Sequence, residues 1–181
     1  MLLLSRVSSR AFSDERLSEE ELMSLFEAAH WAPSSYNNQP WRFVYARRGD
    51  KEWDILFSAL IDFNKSWCKK ADTLIVAISR NNFERNNKPS HTARFDTGAA
   101  WMSLAIEAHQ RGLIAHGMQG FDYAAIKRDL HIPDTFTVEA MIAVGKPGKI
   151  EDLAPDLQEK EEPSLRKPLE TIVSRGKFNF Q

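Results

Sequence analysis

The sequence predicts one domain of mixed helices and strands, and three observations carry that expectation. A capping box opens an amphipathic helix near residue 19, apolar runs of strand length recur at 42–46, 73–79 and 138–144, and a long helix near residue 100 has almost no polar face. At 181 residues the chain has the size of a single domain and is long enough to bury a full core.

The first helix follows from Ser18 and Glu21, which stand at capping-box spacing. Leu22, Leu25, Phe26 and Ala29 then recur at helical intervals until Pro33 approaches, giving a helix over roughly 19–31. Arg42 to Ala46 reads as a strand, with Thr73 to Ser79 and Val138 to Val144 as two more. Their two-sided hydrophobicity places them at the centre of a sheet. From Asp96 to Arg111 the residues Ala99, Ala100, Trp101, Leu104, Ala105 and Ala108 describe a largely buried helix, closed by Gly112. A short strand, Leu113 to His116, leads to a helix over 123–130 that Asp122 caps and that stops before Pro133. Ser79 to Arg94, rich in Asn and Arg, reads as a mobile surface loop or lid. Residues 150–181 read as an extended C-terminal arm, polar at first and ending in Phe178 and Phe180, which docks on its own subunit or on a neighbour.

Composition narrows the function classes. Hydrophobic residues make up 43% and charged residues 27%, ordinary values for a soluble protein. A net charge of −1 provides no global field for nucleic acid or an acidic membrane. The single cysteine, Cys68, excludes an internal disulfide and a multi-thiolate zinc site, and it suits a reducing cytoplasm. The apolar run Met1 to Leu4 is too short for a secretory segment, and no stretch has the length of a transmembrane helix. A soluble, cytoplasmic protein is expected.

Several segments carry groups suited to binding. Ala32 to Trp41 sets hydroxyls and carboxamides between two prolines, so it serves either as a plain link from helix to strand or as a loop shaped to a flat, polar-edged ligand. In Arg6-Val7-Ser8-Ser9-Arg10, an extended backbone would turn Arg6, Ser8 and Arg10 to one side. They would then form either a solvated edge or a phosphate clamp. Arg175-Gly176-Lys177 is a frayed basic tail or a further pair of cations. Gly117 to Asp122 is a strand-to-helix turn whose glycines let backbone N–H groups approach a ligand. Asn64 is a surface asparagine or a reader of an imide edge.

Other chemistries find no support. The five histidines include no pair at metal-ligand spacing, no G-x-S-x-G elbow occurs, and neither a Walker A nor a G-x-G-x-x-G sequence is present. Cys68 has no activating partner in sequence and reads as a core residue. A binding site without a protein nucleophile fits an enzyme whose cofactor carries the reactive atom.

Taken together the segments resemble the FMN-dependent nitroreductase family. R-x-S-x-R at 6–10, P-S-S-x-N-x-Q-P-W at 33–41, the stretch from Asn64 to Trp67, Q-G-F-D at 119–122 and R-G-K at 175–177 occur in the family's order across nearly the whole chain. The resemblance implies an α+β fold with a mixed, mainly antiparallel sheet flanked by helices, assembled as an intertwined homodimer with FMN at the interface. It implies that Arg6 and Ser8 hold the phosphate with Arg175 and Lys177, and that Arg10 lies by the flavin pyrimidine. By the same likeness Pro33, Ser34, Ser35 and Asn37 reach the cofactor from the partner subunit, and Asn64 bonds the flavin edge. Met118, Gln119 and Gly120 would line the ring near N5. Three departures stand out: only five residues precede Arg6, where relatives carry a longer helix, Gln119 stands where some relatives have glutamate, and Trp67 stands where some have lysine.

The activity implied is ping-pong hydride transfer from NADH or NADPH, through the flavin, to nitroaromatics, quinones or other flat small-molecule acceptors. Arg10 would stabilise the anionic reduced flavin: at about 4 Å and an effective dielectric of about 20 a unit charge contributes roughly 4 kcal/mol before desolvation. The alternatives are another flavin reaction on the same scaffold, such as reductive dehalogenation, enone reduction or flavin consumption, and a non-catalytic FMN-binding sensor. No metal and no nucleic-acid or membrane partner is expected.

Overall fold

A computed structural model of the chain describes residues 2–180. Along the chain lie α1 (Leu2–Ser5), α2 (Glu19–His30), β1 (Trp41–Arg47), α3 (Lys51–Ala59), α4 (Asp62–Cys68) and β2 (Thr73–Arg80). They are followed by α5 (Ala93–Gln110), β3 (Ile114–Met118), α6 (Tyr123–Asp129), β4 (Phe136–Gly145) and α7 (Pro155–Gln158). The four strands form one sheet in the order β1-β2-β4-β3, with every pairing antiparallel. Helices cover both faces, so the α+β class implied by the resemblance is the one observed.

The pleat explains the two layers. In β2, Leu74, Val76 and Ile78 pack with Trp53 and Leu56 of α3, Trp67 of α4 and Ile126 of α6. Ile75 and Ala77 point the other way, onto Leu22, Leu25 and Ala29 of α2 and Ala100, Leu104 and Ala108 of α5. With both faces buried, β2 reads as an unbroken apolar run, as expected for a central strand. Opposite it, Ala77 pairs with Ala140 but Ile78 pairs with Val138, leaving Glu139 as an extra residue. That bulge brings Val138 and Met141 onto the same face despite their odd spacing. The Glu139 carboxylate accepts from Ser79 Oγ and pairs with Arg94 at 3.2 Å.

The expected caps are present. Ser18 and Glu21 form the capping box of α2, and Asp122 Oδ1 accepts from Ala125 N at 2.9 Å to open α6. Gly112, at φ +69°, ends α5, with Leu113 N bonded back to Ala108 O at 2.8 Å. The helix expected from Asp96 begins at Ala93, which leaves Asp96 inside the first turn with its carboxylate free for another task. Four elements were not anticipated, the single-turn α1 and α7 and the longer α3 and α4. Each spans few turns, and burying Trp53 and Leu56, or Trp67 and Cys68, gives too little periodicity to read.

The stretch between β2 and α5 closes on itself. Asn82 bridges Pro89, Phe83 N donates to Lys88 O at 2.8 Å, and Ser90 N donates to Asn81 O at 2.8 Å. At the other end, residues 162–179 are exposed throughout, Leu165 at 96% and Phe178 at 87%.

Candidate active site

The segment from Arg6 to Arg10 forms no helix or strand and is tied to Glu161 and His116. Beyond it, Phe12 bridges Pro147, Gly148 N donates to Ala11 O at 2.6 Å, and Ser13 N donates to Lys146 O at 2.9 Å. Phe12 stacks on Trp67 at 6.2 Å. Arg6 Nη1 donates to Ser8 Oγ at 3.2 Å, so the two candidate phosphate ligands lie side by side. Both line a cleft of about 650 Å³, together with Trp101 of α5 and Gly117, Met118 and Gln119 at the end of β3. That size falls in the range of small-molecule sites. Arg6 and Ser8 also line an adjoining cleft of about 660 Å³ that contains Arg10, His116 and Glu161.

Arg10 sits over the Trp67 ring at 5.9 Å. Among the described residues its Nε and the Trp67 Nε1 are both buried donors without a hydrogen-bond partner. Such orphaned donors are costly unless something supplies an acceptor. His116 packs on the same tryptophan at 4.6 Å, and its Nδ1 lies 3.1 Å from Ser9 O. Because a carbonyl only accepts, Nδ1 carries the proton. Burial holds the His116 pKa below its ordinary value, against a smaller opposing effect of the Ser9 carbonyl.

The turn after β3 is shaped by close contacts. Gly120 O accepts from Ile61 N at 3.1 Å and from Asn64 Nδ2 at 2.9 Å. A Cβ at Gly120 would stand 2.7 Å from Asn64 Nδ2 and 2.7 Å from Ile61 Cδ1, so both side chains would have to shift to admit one. Asn64 is buried and gives its amide to this turn. The Met118 sulfur packs 3.5 Å from Cys68 Sγ, and Gln119 is exposed. Burial pushes the Cys68 thiol pKa far up, which leaves it protonated and inert as a nucleophile.

The loop from Pro33 to Trp41 has a strained backbone. Tyr36, Asn37 and Gln39 all adopt left-handed backbone, at φ 52°, 54° and 45°. Ser34 Oγ accepts from Gln39 N at 3.0 Å, and Ser35 N donates to the buried Asp96 carboxylate at 3.1 Å. Thr92 Oγ1 donates to the same carboxylate oxygen at 3.2 Å. Tyr36 is exposed but carries the Arg85 guanidinium over its ring at 4.2 Å.

Of the residues singled out in sequence, the fold brings Arg6, Ser8, Met118 and Gln119 to one cleft, with Arg10 in the adjoining one and Asn64 and Gly120 beneath the turn. Pro33, Ser34, Ser35 and Asn37 do not line either cleft. Arg175 and Lys177 lie on the exposed arm, and the cation that joins Arg6 and Ser8 in both clefts is Arg166. Sequence reasoning missed Glu161, His116 and Asp96 as parts of this architecture. Glu161 sits in a charged run with nothing to mark it, and its contact with Ser9 and Arg10 is visible only in three dimensions.

The sequence profile of the nitroreductase family matches residues 3–65 and 59–146. The chain belongs to the nitroreductase family. Within and around it, the chain is similar to a solved oxidoreductase containing FMN, with 43% identity and a TM-score of 0.94 over 99% of this chain and 92% of that one. It is also similar to a Desulfovibrio desulfuricans protein solved in complex with FMN, at 26% identity and a TM-score of 0.77 over 98% of this chain and 96% of the other. The oxygen-insensitive NADPH nitroreductase of Helicobacter acinonychis is 39% identical over 79 residues, which are 43% of this chain and 37% of that relative. The family likeness read from R-x-S-x-R and P-S-S-x-N-x-Q-P-W is therefore upheld. Among the described residues no helix is long and apolar enough to cross a membrane, and no cluster of three or more potential metal ligands occurs.

Proposed function

We propose that this family member is an FMN-dependent NAD(P)H oxidoreductase acting on flat electrophiles such as nitroaromatics and quinones. The observation that carries the reading is the meeting of Arg6, Ser8 and the Gly117–Gln119 turn in one cleft. The residues present fit FMN. The guanidiniums of Arg6 and Arg166 with the Ser8 hydroxyl suit a phosphate, the unpartnered Arg10 Nε suits an acceptor atom of a heterocycle, and a glycine turn lets a ring approach backbone N–H groups. When bound, FMN supplies hydride exchange at N5, alternately with a nicotinamide and with an acceptor.

The chain's own residues bind and orient. Arg6 and Ser8 hold the phosphate, with Arg175 and Lys177 joining once the arm is docked. Arg10 faces the pyrimidine, while Met118, Gln119 and Gly120 set the backbone against the ring. Asn64 fixes that turn through Gly120 O and offers its remaining amide oxygen to the flavin edge. Pro33, Ser34, Ser35 and Asn37 serve the FMN of a second copy. Their absence from this chain's clefts and the exposed apolar side chains of the arm, Leu165, Leu169 and Phe178 among them, support a homodimer.

The test is direct. Purified or FMN-reconstituted protein is expected to be yellow and to bleach anaerobically with NADH or NADPH, and colourless protein that takes up no FMN overturns the reading. Arg6→Ala is expected to raise the FMN dissociation constant at least tenfold with an unchanged circular dichroism spectrum. Unaltered affinity refutes the phosphate role.

A further inference from the structure

Glu161 comes from the segment after α7 and reaches back to Arg10, yet its carboxylate is almost completely buried, at 3% side-chain exposure. It accepts from Ser9 Oγ at 2.5 Å, from Arg10 N at 3.1 Å on each oxygen, and from Arg10 Nη1 at 3.4 Å. Only the last of these involves the guanidinium, and it is longer than a strong charge-assisted bond, which runs about 2.7–2.9 Å. The carboxylate is thus pinned by Ser9 and by backbone, whatever the Arg10 side chain does. The guanidinium, in turn, keeps its buried Nε without a partner among the described residues and lines the same cleft as Arg6 and Ser8. Among the described residues Glu161 is the one anionic partner of Arg10, and burial disfavours the charged form of His116 beside it.

We propose that Glu161 is a positioning residue that holds a fixed counter-charge behind Arg10 and so lowers the reduction potential of the flavin bound in this cleft. The inference rests on the FMN reading above. A lone guanidinium favours an anionic reduced flavin over the oxidised one, whereas a paired guanidinium presents far less net charge. The buried, water-excluded setting of the carboxylate makes its field strong at short range. The charge of this site is therefore tuned from the C-terminal segment, by a residue that need not touch the cofactor.

The experiment is anaerobic redox titration of the FMN holoenzyme for wild type, Glu161→Gln, Arg10→Gln and the double variant. Glu161→Gln keeps the size and one acceptor but removes the charge. It is expected to favour reduced over oxidised FMN by about tenfold, a rise of about 30 mV for a two-electron couple. Arg10→Gln is expected to lower the potential, and the double variant to lie between the two single ones. An unchanged or lowered potential in Glu161→Gln overturns the inference. Should that variant not fold, the double variant, which leaves no unpaired charge, is compared with Arg10→Gln, and equal potentials overturn it. Failure of the wild type to bind FMN overturns the flavin reading and this inference together, whereas a flavin whose potential ignores Glu161 overturns this inference alone.

Discussion

Gly148→Ala should damage the candidate site from outside it. A Cβ at Gly148 would lie 2.5 Å from Phe12 O, 2.6 Å from Phe12 C and 2.8 Å from Ser13 N. These are backbone atoms, so no rotamer change relieves the contact, and a carbon pair at ordinary separation needs about 3.5 Å or more. The two segments must part by about 0.9 Å on that standard. Separation on this scale breaks the bonds from Gly148 N to Ala11 O and from Ser13 N to Lys146 O, which now stand at 2.6 and 2.9 Å. Overpacking costs about 1–3 kcal/mol and each of the two lost hydrogen bonds about 1 kcal/mol, so a total of about 3–5 kcal/mol is expected. For a chain of this size that lowers Tm by about 6–20 °C. Displacing Phe12 also disturbs the stack on Trp67 that supports Arg10, so FMN affinity should fall with stability. The assays are thermal unfolding at fixed protein concentration and FMN fluorescence titration. A Tm within about 2 °C of wild type, less than 1 kcal/mol of destabilisation would give, refutes the claim that this contact fixes the Arg6–Phe12 segment.

Three further outcomes are expected. Gly120→Ala drives a Cβ into Asn64 and Ile61, each at 2.7 Å, so it should cost about 1–3 kcal/mol in a urea titration and weaken FMN binding; wild-type behaviour in both assays would show that the two side chains yield without loss. Asp96→Ala removes the acceptor of Ser35 N and Thr92 Oγ1 and leaves a loop donor unpaired, a loss of about 2 kcal/mol by denaturant midpoint, and an unshifted midpoint would show that the carboxylate does not hold the loop. The third concerns pH. Burial depresses the His116 pKa below 6.5, so the unfolded chain binds more protons than the folded one as the medium acidifies. Its stabilising share is full above about pH 6.5 and is lost as pH falls through the folded value. Tm should drop between pH 7 and pH 5, and by less in His116→Gln; parallel curves would refute the assignment.

Much of the fold was legible because its central elements carry strong local signals. Ser18 and Glu21 announce α2, the unbroken apolar run of β2 announces a strand buried on both faces, and Gly112 marks the end of α5. α3 and α4 were silent because seven to nine residues give too few repeats, and their amphipathic pattern has meaning only against the sheet they cover. The site divides in the same way. Arg6, Ser8 and the 117–120 turn were readable as local motifs. Glu161 and Asp96 act on backbone far away in sequence, and an acidic residue within a charged run looks the same whether it is solvated or buried.

The Pro33–Trp41 loop shows how a cost in the fold can point to a use. Linking α2 to β1 demands no left-handed residues, yet Tyr36, Asn37 and Gln39 all adopt that conformation. Asparagine tolerates it, but for tyrosine and glutamine the cost is about 1–2 kcal/mol each. A buried carboxylate, Asp96, is committed to the same loop through Ser35 N. Strain of this kind persists only where the surroundings over-determine it. Within its own chain the loop closes neither cleft. In the proposed dimer the object it is shaped to is the flavin of the second copy. Asp96→Ala therefore has a second expected consequence: FMN affinity falls although Asp96 lines no cleft, and in a mixed dimer the weakened site is the one held by the unaltered subunit.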